Sequence, residues 1–197
     1  MITWTCKTSV AAIVLTFLAA CEGSQTTDLI SGLSSINAKP NAEALAQAPM
    51  AFGVVTLVPP TGYCIDGESL RPRFALLARC DKLGADWGGR GAPIGVMTVS
   101  VAQARGTGTL PTPTQTAAAF GLRDVSALVA NDTSVVFRAT GDAIGPDMSP
   151  DHWRGSALVN GQVLGIALYG PADGAAITRE GRALVAELIQ RTEESTN

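Results

Sequence analysis

The sequence predicts an α+β fold: an antiparallel β-sheet with a C-terminal helix and a short helical middle segment packed on it. Three observations predict it. The β-rich runs come in groups before and after an Ala-rich middle, without the regular strand–helix alternation of a doubly wound parallel sheet. Trp153–Val159 and Gln162–Tyr169 are joined by Asn160-Gly161, which suits the positive φ values of a type I′ hairpin turn. Ala175–Glu194 gathers Ile177, Leu184, Val185, Leu188 and Ile189 on one helical face.

The first stretch is read as an address. An apolar run from Val10 to Ala20 follows a short start carrying Lys7, and it closes with Leu18-Ala19-Ala20-Cys21. The run is about a dozen residues long, whereas a bilayer span needs roughly 20. Small residues directly before a cysteine resemble the lipobox of bacterial lipoproteins. That resemblance implies a signal peptide over residues 1–20 and a diacylglyceryl group on the Cys21 thiol. It also implies a lipid anchor in the cell membrane or outer membrane, with the remaining chain facing the periplasm. Two or three lipid chains hold a protein firmly at a membrane. An uncleaved anchor helix and an ordinary cleavable signal peptide are the competing readings.

Residues 21–50 are rich in Ser, Thr, Asn, Gln and Ala, the composition of a flexible tether. Short helices are expected over Asp28–Ile36 and Asn41–Ala48, the second bounded by Pro40 and Pro49. The globular domain is expected over 51–197. Its first strand is Phe52–Val58, stopped by Pro59-Pro60, with turn chemistry through Tyr63. Phe74–Ala78 is the second strand, Asp81–Pro93 a Gly-rich loop and Ile94–Val101 the third strand. Residues 105–116 read as an exposed loop. Thr116–Leu122 and Val125–Ala130 are Ala-rich and are expected to be helical, with Gly121 as a weak point. Ser134–Thr140 is a strand and 141–150 a loop before the Asn-Gly hairpin. On the closing helix, Glu187 and Arg191 stand i, i+4 on the wet side. No internal repeat is visible.

Composition narrows the function classes. The chain has 197 residues, 46% of them hydrophobic, too many for a polar disordered chain. The formal charge is −3 and no basic run or stripe occurs, so nucleic acid is not an expected partner. Of the four cysteines, Cys6 leaves with the signal and Cys21 is lipidated. Cys64 and Cys80 remain, an even pair in an oxidising compartment. A disulfide between them would close a loop of about 15 residues, worth about 3 kcal/mol. The alternatives are a metal pair, which lacks neighbouring ligands, and a redox pair, which lacks Cys-x-x-Cys spacing.

The element order also resembles the PsbP/Mog1-like domains of exported lipoproteins over about residues 50–192. The residues that carry the resemblance are Pro60-Thr61-Gly62-Tyr63 after the first strand, Trp153 opening the hairpin, and the final helix. The resemblance implies a binding or assembly module and transfers no catalytic site.

Candidate chemistry is sparse. The one histidine, His152, stands beside Asp151, but no Gly-x-Ser-x-Gly elbow supplies a nucleophile for a triad. Asp142, Asp147, Asp151 and Asp173 lie around the hairpin and could approach Ca²⁺ chemistry, yet they match no EF-hand spacing and read as turn residues. Arg71, Arg73 and Arg79 surround the second strand with Asp66, Glu68 and Asp81 close by, a solvated mixed face or a small anion site. Trp87 in Asp86-Trp-Gly-Gly-Arg90 reads as a lid over the core edge or as an interface anchor. Trp87, Arg90 and Trp153 are the candidate partner-binding residues. No phosphate-cradling loop occurs, and no cofactor or metal is expected. The leading reading is a non-enzymatic, lipid-anchored envelope protein that binds a partner protein or aids envelope assembly. The rivals are a carrier or sensor of a small apolar or anionic ligand, and a hydrolase using His152.

Overall fold

The computed structural model describes residues 43–105 and 108–196. The signal segment, Cys21 and Asp28–Ile36 lie outside the described residues. Ten strands and two α-helices are found among the described residues. β1 (Ala44–Leu45), β4 (Tyr63–Asp66), β5 (Phe74–Arg79), β6 (Val96–Gln103), β7 (Arg123–Ala130), β8 (Ser134–Thr140), β9 (Asp151–Val159) and β10 (Gln162–Tyr169) form one antiparallel sheet. Their order across it is β1-β4-β5-β6-β10-β9-β8-β7. β2 (Ala48–Met50) and β3 (Val55–Leu57) form a separate hairpin. α1 is Pro113–Phe120 and α2 is Arg179–Thr196. The α+β class expected from the sequence is therefore the observed one. No helix among the described residues is long and apolar enough to cross a membrane.

α2 lies across one face of the sheet and against β3. Its stripe of Leu184, Val185, Leu188 and Ile189 is buried with Val99, Leu164, Ile166 and Leu168 from the sheet. Two glycines set how closely the layers approach. A Cβ on Gly155 of β9 would stand 2.7 Å from Val185 Cγ1, and one on Gly181 of α2 would overlap the Ala176 carbonyl oxygen. The far end of α2 then latches the N-terminal hairpin. Thr192 Oγ1 accepts from the Val58 amide at 3.2 Å, Thr196 Oγ1 from the Thr56 amide at 3.1 Å. Glu187 Oε1 accepts from both the amide and the hydroxyl of Thr61 at 2.9 and 2.6 Å.

The Asn-Gly hairpin forms as expected, with φ of 45° at Asn160 and 72° at Gly161. Ser134–Thr140 is β8. Other expectations are corrected. Phe52 is no strand residue: Ala51, Phe52 and Gly53 have φ of 48°, 59° and 90°, a left-handed turn that joins β2 to a short β3. Of the helix expected over Asn41–Ala48, residues 41 and 42 lie outside the described residues and 44, 45 and 48 are in strands, and Met50 is fully buried, so packed strands are present ahead of Ala51. Tyr63 begins β4 instead of ending a turn.

The helical middle is α1 alone. It starts earlier than Thr116 because Thr112 and Gln115 make a reciprocal capping box, with Pro113 in the first turn. It stops where Gly121 turns left-handed at φ 63°. Val125–Ala130 is then an edge strand, β7, with all eight of its residues exposed. Pairing with β8 overrides the helical preference of its alanines and leucine.

Candidate functional site

The face of the sheet turned away from α2 is only partly covered. α1 packs on β7 and β8, where Val135, Phe137 and Ala139 are buried with Leu110 and Leu122. Farther in, register places Leu76, Thr98, Ala167, Arg154 and Phe137 in one row across five strands. The next row is Phe74, Ser100, Gly165, Ser156 and Val135. Between Arg154 and Leu76 the first row has only Thr98 and a buried Ala167, the second row is mostly Ser and Gly, and Ser100, Ala102 and Phe74 remain exposed. This partly exposed strip over β5, β6 and β10, beside the strands that α1 covers, is what we term the trough.

Arg154 stands at that border. Its Nε–H donates to His152 Nε2 at 2.9 Å and Nη2 donates to Tyr169 Oη at 3.0 Å. The rings of Phe120 and Tyr169 lie 5.2 and 5.7 Å from its Cζ. His152 and Tyr169 are themselves stacked, with centroids 4.7 Å apart. The proton positions follow from the bonds. His152 Nε2 accepts from Arg154, so the ring proton sits on Nδ1 and is donated to the Pro150 carbonyl at 2.9 Å. The imidazole is held neutral: burial lowers its pKa first and the adjacent Arg154 charge adds to this, against the Pro150 carbonyl and Asp151. Burial also lowers the pKa of Arg154, from a start so high that the guanidinium stays charged.

The arginines at Arg79, Arg138 and Arg191 all pair with carboxylates, respectively Asp81, Asp151 and Glu187. Arg154 has no such partner among the described residues. A cavity of about 230 Å³ is lined by Ala78, Val96, Ile94 and Met148 with Arg79 and Lys82. Val96 is the β6 neighbour of Tyr169, so the cavity continues the same face.

The residues singled out in the sequence fare unequally. Cys64 and Cys80 form a disulfide, which fastens β4 to the turn after β5. Trp153 is a correction: it is 3% exposed, its indole N–H donates to the Thr178 carbonyl at 2.8 Å, and it belongs to the core under α2. As a surface anchor it is buried on the wrong side of β9. Trp87 is 52% exposed and Arg90 is exposed, both on the loop beside the disulfide. Gly88, next to Trp87, lies against Cys80.

His152 has both ring nitrogens occupied and no serine hydroxyl bonded to it among the described residues. Asp151 bonds Arg138 at 2.8 Å and the Thr140 hydroxyl at 2.6 Å, away from the imidazole. Asp142, Asp147, Asp151 and Asp173 do not converge: no group of three or more His, Cys, Asp or Glu with metal-binding geometry occurs among the described residues. In the mixed-charge run, Arg79 is closed onto Asp81 and the Ala92 carbonyl, and Arg71 donates to the Glu68 and Leu70 carbonyls. These are local braces.

Sequence reasoning missed Arg154, Tyr169 and Phe120. A signal for the first two was present. A two-residue Asn-Gly turn fixes the hairpin register, which sets His152 opposite Tyr169, and the two-residue period of a strand puts Arg154 on the face of His152. Phe120 reaches Arg154 only because α1 folds back over β8. No family model matches this chain, and no curated protein matches it.

Proposed function

We propose that the protein is a non-enzymatic binding module of the bacterial cell envelope, anchored by lipid at Cys21, that offers the open face of its sheet to a partner protein. The observation that carries this reading is the trough over β5, β6 and β10, where Ser100, Ala102 and Phe74 are exposed beside a charge-bearing border at Arg154. A sheet face backed by a packed helix on its other side is a rigid platform, which lowers the ordering cost of binding. His152 serves this surface by holding Arg154 in place. A second reading, a carrier or sensor of a small anionic ligand, is favoured by the unpaired charge of Arg154.

The test is photocrosslinking in intact bacteria with a benzophenone side chain introduced at Ser100 in the full chain. A discrete crosslinked partner is expected from Ser100 and not from Asp132, which lies beyond the far edge at the β7–β8 turn. The same adduct from both positions, or from neither, overturns the assignment of the face. Mass spectrometry of the membrane fraction tests the anchor: a lipid-modified Cys21 at the N-terminus is expected, and an unmodified Cys21 rules it out.

A further inference from the structure

We propose that Arg154 is a carboxylate receptor, and that the molecule it receives is an amphipathic monocarboxylate whose apolar body lies in the trough over β10, β6 and β5. This rests on the second reading above, a carrier or sensor of a small anionic ligand at the open face, and gives that ligand a chemistry.

A guanidinium has five N–H groups, four of them paired on two edges. The side edge of Arg154, formed by Nε and Nη2, is closed onto His152 and Tyr169. The end edge, formed by Nη1 and the second proton of Nη2, has no acceptor among the described residues. That edge is a planar two-donor fork, the complement of two coplanar carboxylate oxygens. The side chain is held in advance by two hydrogen bonds and two flanking rings, so little rotamer freedom is lost when an anion arrives. Leaving a half-buried cation unmatched is unfavourable, and a bound anion relieves it.

The charge count selects the class of anion. His152 and Tyr169 are neutral partners, so the cluster offers one positive charge and balances a monoanion. A phosphate dianion calls for more cations or a nest of backbone amides, and none bonds at this edge among the described residues. The surroundings select the rest of the molecule. From Arg154 the row runs over Ala167 and Thr98 to Leu76, and the adjoining row over Gly165 and Ser100 to Phe74. Beyond the buried Ala167, Thr98, Gly165 and Leu76 are half-buried and Ser100 is exposed, and Phe74, 40% exposed, gives an apolar far wall. Three strand spacings cover about 14 Å, which sets the upper limit on the apolar body.

Octanoate, octan-1-ol and inorganic phosphate are titrated calorimetrically into the full chain in lipid nanodiscs, with empty nanodiscs as the blank. Octanoate is expected to bind, octan-1-ol at least tenfold more weakly, and phosphate not measurably. Arg154→Gln should weaken octanoate at least tenfold and bring it level with octan-1-ol. Arg154→Lys should restore little of this, because an ammonium lacks the fork. Tyr169→Phe, which keeps the ring and removes the hydroxyl that steadies Nη2, should weaken octanoate severalfold. It also serves as the folding-competent variant if Arg154→Gln unfolds.

Equal octanoate affinity in wild type and Arg154→Gln overturns the proposal, as does phosphate binding that Arg154→Gln abolishes. If octanoate fails to bind while the Ser100 crosslink persists, the carboxylate assignment falls and the binding face stands. If the crosslink also fails, both fall.

Discussion

At the scale of single residues, the proton on His152 decides the state of the border cluster. Protonating Nε2 would set an N–H against the Arg154 Nε–H and place two cations side by side. Arg154 on β9, Tyr169 on β10 and Asp151 at the start of β9 are the titratable groups that face or neighbour the imidazole. Because burial lowers the folded pKa, the unfolded chain binds this proton more readily. Stability from His152 is therefore complete above about pH 6.5 and declines as pH falls below it toward the folded value. Urea unfolding should give a midpoint that is flat from pH 7 to 8 and falls through the region below pH 6.5. His152→Gln should lose that segment of the pH dependence, and an unchanged profile in the variant would refute the assignment. The sequence made His152 and Trp153 conspicuous as rare side chains; the first is hydrogen-bonded to Arg154 and the Pro150 carbonyl, and the second is buried under α2. Arg154 looked ordinary between them, because a charge on a strand is read as a solvated one unless its register partners are worked out.

At the scale of elements, close approach governs what can be changed. Gly181 sits inside α2, where an alanine raises intrinsic helix propensity by about 1 kcal/mol. Here the added methyl would collide with the Ala176 carbonyl oxygen and crowd the Trp153 ring. Gly181→Ala should accordingly lower stability by roughly 3 kcal/mol, measured by chemical denaturation, in spite of the propensity gain. The disulfide acts on another element pair. Cys64→Ser should cost about 3 kcal/mol and leave Cys80 open to a thiol reagent once unfolded. Labelling of both cysteines in the unreduced, unfolded wild type would show the pair is not joined. The hairpin and α2 were legible because each is defined by local chemistry, an Asn-Gly turn and an apolar stripe. β7 was not, because Val125–Ala130 gains its conformation from β8 and from the stop at Gly121. β4 was hidden by its brevity after a Pro-rich turn.

At the scale of the whole molecule, neighbours in the sheet are distant in the chain. β6 pairs with β10 across the entire α1–β9 segment, and no local pattern encodes that choice. The α+β class was legible from the grouping of strands, whereas the strand order was not. The β2–β3 hairpin depends on the same long reach, through Thr192 and Thr196. Thr192→Val should cost about 1–2 kcal/mol, because it leaves the Val58 amide without an acceptor in a buried place. Equilibrium unfolding followed by tryptophan fluorescence checks this, and a loss below 0.5 kcal/mol would mean water replaces the hydroxyl.

That latch has a bearing on how the protein is made. A ribosome delivers the segment around Met50 long before it delivers Thr192, so during synthesis the hairpin has no helix to close against. The hairpin can therefore be latched only after the last turns of α2 have emerged, which makes the earliest-made part of the described body one of the last to be fixed.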